Sequence, residues 1–225
     1  MKPSLTPASS TTLVSAQAQI NQGLCQNSPR DVRKQQRKQL RQARRALSSC
    51  EHAERSASAT RQLVKHRLFW SSQHIACYLP NDGELDLSAL MVEAWRLGKT
   101  IYLPVLSTVH RNHLHFLPYA PGDMLVDNRF GIPEPVMRPR LVVGIRRLDL
   151  VLTPLVGFDG QGNRLGMGGG FYDRSFSFLR RRQHWRKPRL MGMAFDQQYC
   201  PAGLPKQAWD VPLDGVASES GIVLF

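Results

Sequence analysis

The stretch from Asp159 to Arg174, D-G-Q-G-N-R-L-G-M-G-G-G-F-Y-D-R, gathers residue types suited to phosphate chemistry. Gly166, Gly168, Gly169 and Gly170 leave backbone N–H groups uncovered, so a phosphate can approach them and the start of the helix that follows. Arg164 offers a guanidinium. Asp173 falls in the first turn of that helix, where the dipole favours a carboxylate, and it could hold a divalent metal on the phosphates. The loop is not a Walker A motif, because G-x-x-x-x-G-K-[ST] is absent. It is not a dinucleotide fingerprint either, because Gly166-Met167-Gly168 lacks the third glycine at the required place. On glycines alone, a tight irregular turn would explain it as well.

Charge is the second source of chemistry. Arg30, Arg33, Lys34, Arg37, Lys38, Arg41, Arg44 and Arg45 crowd one short stretch, and Arg174, Arg180, Arg181, Arg182, Arg186, Lys187 and Arg189 form another. Such fields attract polyanions: nucleic acid, a nucleoside triphosphate or a polyglutamate tail. A solvated helix face is the plainer account of the same residues. Asp82 and Glu84 could form an acid–base pair, but Asp82 fits better as the turn residue before Gly83, which leaves Glu84 as a lone ligand contact. His110, His113 and His115 surround a polar Arg111-Asn112 turn with no cysteine or carboxylate close by, and read as structural or solvent-facing. Trp209, beside Asp210, could stack on a flat ring or simply close an edge of the core.

These groups must be positioned by an ordinary globular chain. The 225 residues are 42% hydrophobic and 21% charged, with a formal charge of +13. That mixture excludes a wholly disordered chain, a collagen or a coiled coil, and no apolar run approaches the roughly 18 residues of a membrane span. Cys25, Cys50, Cys77 and Cys200 are scattered, which suggests a reducing cytoplasm rather than a disulfide framework or structural zinc. The first twenty residues have neither the apolar core of a signal peptide nor the arginines of a transit peptide. Residues 1–29 are expected to be a flexible extension and residues 30–225 one catalytic domain.

Periodicity predicts a helix from Val32 to about Leu47, with Leu40, Ala43 and Leu47 inward and the cationic residues around the rest. Ser48 and Glu51 form a capping box for a second helix that buries Ala53, Ala57, Val64 and Leu68. Strands are expected at Ile75–Leu79, Thr100–Leu106, His113–Leu117, Leu148–Val156, Leu190–Phe195 and Gly215–Ala217. Asp86 caps a helix from Leu87 to Leu97 that Gly98 stops, and another helix begins near Tyr172. This alternation predicts a single three-layer α/β domain with a mostly parallel central sheet and helices on both faces.

The wording of the loop is specific beyond its glycines. N-R-L-G-M-G-G-G-F-Y-D-R resembles the signature of the 5-formyltetrahydrofolate cyclo-ligase family, also called methenyltetrahydrofolate synthetase. Five further landmarks match in order: D-G-E-L-D at Asp82–Asp86, W-R-L-G-K at Trp95–Lys99, Y-L-P-V-L at Tyr102–Leu106, L-D-L-V-L-T-P-L-V at Leu148–Val156, and L-P-K-Q-A-W-D-V-P-L at Leu204–Leu213.

The resemblance implies an enzyme that uses ATP and magnesium to convert 5-formyltetrahydrofolate into 5,10-methenyltetrahydrofolate, with ADP and phosphate released through a phosphorylated formyl intermediate. It assigns ATP to Arg33 or Lys34, to Arg37, and to Arg164, Leu165, Gly166, Met167, Gly168, Gly169, Gly170, Phe171 and Tyr172. Folate contacts fall on Leu79, Glu84 and Met167 to Phe171. Catalytic roles fall on Arg164 and Tyr172, and magnesium on Asp173 and Asp210. Met167 and Phe171 stand where the family commonly has tyrosine. A cytoplasmic monomer is expected, acting on folates that carry polyglutamate tails or not. A folate- or nucleotide-binding paralogue with another substrate is the alternative, and a basic nucleic-acid-binding protein a weaker one, since RNA-stacking platforms and zinc-finger spacings are missing.

Overall fold

The computed structural model describes residues 28–181 and 187–225. The expected extension before Ser28, and Arg182 and Arg186 of the second basic cluster, lie outside those residues. Helices are α1 (Pro29–Arg45), α2 (Ser49–Lys65), α3 (Arg67–Trp70), α4 (Ser88–Arg96) and α5 (Phe171–Ser175). One sheet has the order β11-β10-β9-β6-β1-β2-β3, built from His74–Ala76 (β1), Thr100–Leu106 (β2), Leu114–Tyr119 (β3), Leu150–Pro154 (β6), Arg189–Met193 (β9), Gly215–Ser218 (β10) and Gly221–Leu224 (β11). The four inner pairings are parallel, and the two edge strands β3 and β11 run antiparallel. Two small hairpins complete the chain: β4 (Leu125–Asp127) with β5 (Pro133–Pro135), and β7 (Gly157–Phe158) with β8 (Arg164–Leu165).

Alternation along each strand divides the core into two layers. Ile75, Cys77, Ile101, Leu103, Leu150, Leu152, Met191 and Met193 face one side, under Ala59 and Leu63 of α2 and Leu90, Met91 and Ala94 of α4. Ala76, Tyr102, Val151, Leu190 and Val216 face the other. There the cover is short: α5 with Phe176 at its end, a 3₁₀ turn at Ser177–Arg181, and Phe158 of the β7–β8 hairpin, beside Phe116 of β3. Each such large side chain contributes about 1.5–3 kcal/mol on burial. Among the described residues no helix is long and apolar enough to cross a membrane.

The helix faces differ from the sequence-based expectation in an instructive way. α1 begins at Pro29, three residues early, because Ser28 accepts the Asp31 amide and a proline fits the first helical position. Of its expected inward residues, Leu40 does face the body and Leu47, just past the helix end, packs against the core, but Ala43 does not. Ala43 is exposed, and Arg33, Gln36, Arg37, Leu40 and Arg44 turn toward the body, with Arg44 fully buried. In α2 the capping box is present, but Ala53 is exposed and Ala57 half-buried; Ser56, Ala59, Thr60 and Leu63 are the buried stripe. Small hydroxyl residues let this helix approach β10, so polarity was a poor guide to the inward side. The helix expected near Tyr172 has only five residues.

Candidate active site

Between β1 and β6 the sheet order reverses, with β2 beyond one and β9 beyond the other. Open α/β sheets leave a crevice outside the carboxyl ends of the strands at such a point. A cavity of about 350 Å³ lies there. Tyr78, Leu79 and Glu84 line it from the segment after β1, and Leu103, Pro104 and Leu106 from the end of β2. Arg164, Gly166, Met167 and Gly169–Asp173 close the opposite side. Phe130 and Ile132, from the β4–β5 hairpin, form an outer wall.

Glu84 is buried, and its Oε2 accepts the Asn81 amide at 3.2 Å. Burial raises its carboxyl to about 7, against an opposing pull from Arg44 and from the Asn81 amide. Asp82, two residues earlier, was expected to be a turn residue. It does adopt a left-handed backbone (φ 55°), but its carboxylate also accepts from Arg41 at 2.8 Å, Arg44 at 2.9 Å and Arg45. Burial alone would raise the Asp82 carboxyl; the arginines outweigh it and bring the group down to about 2.

Asp159–Arg174 divides into two parts rather than one loop. Asp159 closes the β7–β8 hairpin turn by accepting the Gln161, Asn163 and Leu204 amides. The glycine loop proper is residues 166–170. Three of its carbonyls are occupied: Gly166 O by Arg37 Nε at 2.8 Å, Gly169 O by Asn112 Nδ2 at 3.0 Å and Arg174 at 2.6 Å, and Gly170 O by the Arg174 amide at 3.0 Å. Among the described residues, the amides of Met167 to Gly170 donate to no protein acceptor. Gly168 and Gly170 have φ of 104° and 66°, which a side chain would resist. A loop with most of its carbonyls tied back and its amides unpaired is suited to receive an anion.

Arg164 is buried and donates to the Val211 carbonyl and to Asp173 Oδ1 at 2.6 Å. Asp173 Oδ1 also accepts the Val211 amide at 3.1 Å. Asp210, next in the chain, is paired through Oδ2 with Arg33 at 2.8 Å and the Gln207 amide at 2.9 Å. Arg33 also donates to the Pro205 carbonyl. The fold therefore brings Asp173 and Asp210 to one corner. Among the described residues every hydrogen bond to Asp173 falls on Oδ1 and every one to Asp210 on Oδ2, which leaves one oxygen of each for a hard cation. That donor set fits magnesium, which takes one or two carboxylates and completes its shell with phosphate and water. Among the described residues no group of three or more His, Cys, Asp or Glu forms a metal cage.

Other sequence-nominated residues sort clearly. Leu79 lines the cavity, Met167 is 48% exposed at its mouth, and Phe171 meets Phe130 edge-on at 5.8 Å. Tyr172 also lines the cavity; burial and the neighbouring Glu84 push its phenol far up despite Arg164, so it stays a neutral donor. Leu165 is buried in the protein and lines no part of the cavity, so it can offer only its backbone. Lys34 is exposed while Arg33 faces Asp210. Trp209 is 60% exposed and is not part of the cavity wall. His115 bonds Ser107, and His113 and His110 pack edge-on at an exposed turn. Sequence reasoning passed over Tyr78, Asn112 and Phe130. Asn112 carried a signal, a polar residue at a turn able to adopt φ 58°.

The model of the 5-formyltetrahydrofolate cyclo-ligase family matches residues 29–219. The 5-formyltetrahydrofolate cyclo-ligase of Escherichia coli is 42% identical over 183 residues, 81% of this chain and 98% of that protein. That of Haemophilus influenzae is 38% identical, with 80% and 94% covered. The solved structure of Aquifex aeolicus 5,10-methenyltetrahydrofolate synthetase superposes with a TM-score of 0.72 at 31% identity, covering 86% of this chain and 92% of that one.

Proposed function

This chain belongs to the 5-formyltetrahydrofolate cyclo-ligase family, and from that premise we propose that it closes the ring of 5-formyltetrahydrofolate to give 5,10-methenyltetrahydrofolate, converting ATP to ADP and phosphate. The observation that carries this reading is that one cavity is lined by both the unpaired glycine loop and Glu84, so phosphate and folate would meet there.

In the reaction the formyl oxygen attacks the γ-phosphorus, and the bond to the ADP oxygen breaks. The neighbouring bridge nitrogen of the folate then attacks the activated formyl carbon. Cleavage of the carbon–oxygen bond expels phosphate, and the proton on that nitrogen leaves. Such chemistry asks the protein for position and for positive charge, not for a nucleophile. The amides of Met167 to Gly170 would receive phosphate oxygens, with Arg37 beside Gly168 and Arg33 nearby on the same helix face. Arg164, held by the Val211 carbonyl and Asp173, places a desolvated positive charge at the cavity edge, where charge builds on the transferring group. Tyr172 stays protonated and can donate to the formyl or phosphoryl oxygen without reorienting, since its ring is stacked on Phe176 at 6.1 Å. Glu84 accepts the ring N–H donors of the pterin, and Leu79, Phe130 and Phe171 give that ring apolar walls. Asp173 and Asp210 would hold magnesium, which when bound neutralises and orients the phosphates.

The test is direct. Protein, 5-formyltetrahydrofolate, ATP and magnesium together should develop the absorbance of the methenyl product with stoichiometric ADP release. ATP hydrolysis without that absorbance would point instead to the paralogue with another substrate.

A further inference from the structure

Among the described residues Arg44 is the largest fully buried side chain, at 1% exposure, and it was expected on a solvated helix face. It spends its donors on two segments that border the cavity. Nε and Nη2 donate to the Asp82 carbonyl at 3.1 and 2.8 Å, Nη2 reaches Asp82 Oδ2 at 2.9 Å, and Nη1 donates to the Leu155 carbonyl at 3.1 Å. Asp82 lies in the loop after β1 and Leu155 directly after β6. The guanidinium therefore spans the gap between the two strands at the point where the sheet order reverses.

A buried charge with this many fixed acceptors costs solvation that an apolar residue would not, so its position calls for a reason beyond packing. Glu84 supplies one. It is two residues past Asp82 in the strapped loop, it lines the cavity, and Arg44 is the cation acting on it. The other groups around Glu84 are Asp82 on its own loop, the Tyr78 phenol after β1, the Tyr172 phenol from α5, and His52 of α2, whose Nε2 lies 2.9 Å from the Glu84 carbonyl. Both phenols are pushed upward by burial and are neutral, so Arg44 and Asp82 are the two charges of opposite sign that compete over the Glu84 carboxyl.

We propose that Arg44 is a positioning residue for the cavity carboxylate: by strapping Asp82 to Leu155 it fixes the loop that presents Glu84, and it supplies the positive charge that Glu84 faces. The consequence for substrate rests on the reading that Glu84 meets folate; the consequence for Glu84 itself does not.

A plain structural clamp and this proposal differ in the sign of two substitutions. If Arg44 and Asp82 only hold the loop, removing either disturbs Glu84 in the same direction or not at all. If they act on Glu84 as opposed charges, Arg44→Met raises the Glu84 midpoint and Asp82→Asn lowers it, while Arg44→Lys keeps it near the parent value. Carboxyl-carbon NMR of the full chain labelled in glutamate, titrated without substrate, reads all three. Opposite movements support the proposal; parallel movements, or none, overturn it. Should Arg44→Met fail to fold, Asp82→Asn decides alone, since a midpoint that stays or rises is the clamp's signature. With substrate, Arg44→Met should raise the folate KM at pH 7 about tenfold and leave the ATP KM within about twofold. If the parent protein turned over no 5-formyltetrahydrofolate the functional reading would fail, and the titration would still judge Arg44.

Discussion

Asp82 and Glu84 stand two residues apart in one loop, yet they belong to different regions. Asp82 turns down among Arg41, Arg44 and Arg45, and its carboxyl sits at about 2. Glu84 faces the cavity between Leu79, Tyr78 and Tyr172, and its carboxyl sits at about 7. Burial pushes both upward. What separates them is the count of cations within reach, three against one more remote. The same division runs through the whole site. On the side of α1 and the glycine loop Arg33, Arg37, Arg41, Arg44, Arg45 and Arg164 each have a fixed partner, and phosphate transfer needs positive charge held in place. On the side of Glu84 the wall is mostly apolar, with Asn81, Asn128 and Glu134 among it, and the Glu84 carboxyl is left able to gain or lose a proton near neutrality.

The largest effect expected from breaking the charged half is at the metal corner. Asp173→Asn and Asp210→Asn should each lower turnover about a hundredfold, on the order of a lost transition-state charge contact. Both should recover partly at high magnesium, and neither should raise the folate KM. Melting temperature should fall more in Asp173→Asn, because Asp173 also answers the buried Arg164. Turnover near the parent value at low magnesium in both variants would remove the carboxylates from the proposal.

Breaking the apolar half should act on the other substrate. Glu84→Gln keeps the shape of the side chain but cannot present two acceptor oxygens, so folate binding should weaken roughly tenfold. ATP binding should be unchanged, since the loop amides and Arg37 do not touch Glu84. Equilibrium binding of each ligand, measured separately, checks this. An ATP dissociation constant that rises with folate affinity intact would contradict the division of the cavity.

The division was only half legible in the sequence. The sheet could be read, because β-branched and apolar runs such as Thr100–Leu106 announce strands whatever covers them. The glycine loop and Asp173, which line the cavity, could be nominated through the full wording of their segment, since the glycines alone would read equally as a tight turn. The inward face of α1 could not. Its alanine at position 43 is exposed and its arginine at position 44 buried, the reverse of what hydropathy assigns. The cause lies in the acceptors, the carbonyls of Asp82 and Leu155, which belong to distant segments and carry no signature in local sequence. The β4–β5 hairpin that brings Phe130 to the cavity was missed as well, its three-residue strands being too short to show alternation. Resemblance supplied Asp210, which nothing in its own surroundings would have linked to Asp173.

The smallest expected effect is on stability, and it sharpens the comparison because the two carboxyls should show it in separate pH windows. Asp82 is lowered from 3.8 to about 2, so its contribution is present above pH 4 and is lost as pH falls through 2. Its size is on the order of 2 kcal/mol. Glu84 is raised from 4.5 to about 7, so the folded state holds an extra proton between those values. Its contribution is present below pH 4.5 and is lost as pH rises through 7, again by a few kcal/mol, roughly 3 at most. Denaturant unfolding of Asp82→Asn should thus fall below the parent protein at pH 7, with the gap narrowing as the pH drops below 4. Glu84→Gln should do the reverse: it cannot ionise, so it gains on the parent protein as pH rises from 5 to 8. Other shifted groups, Asp149 and Asp159 among them, are common to all three proteins and cancel in the differences. If the Glu84→Gln and parent curves ran parallel from pH 5 to 8, Glu84 would not be the cavity's titrating group, and the contrast between the two carboxyls would have to be attributed to some residue other than this pair.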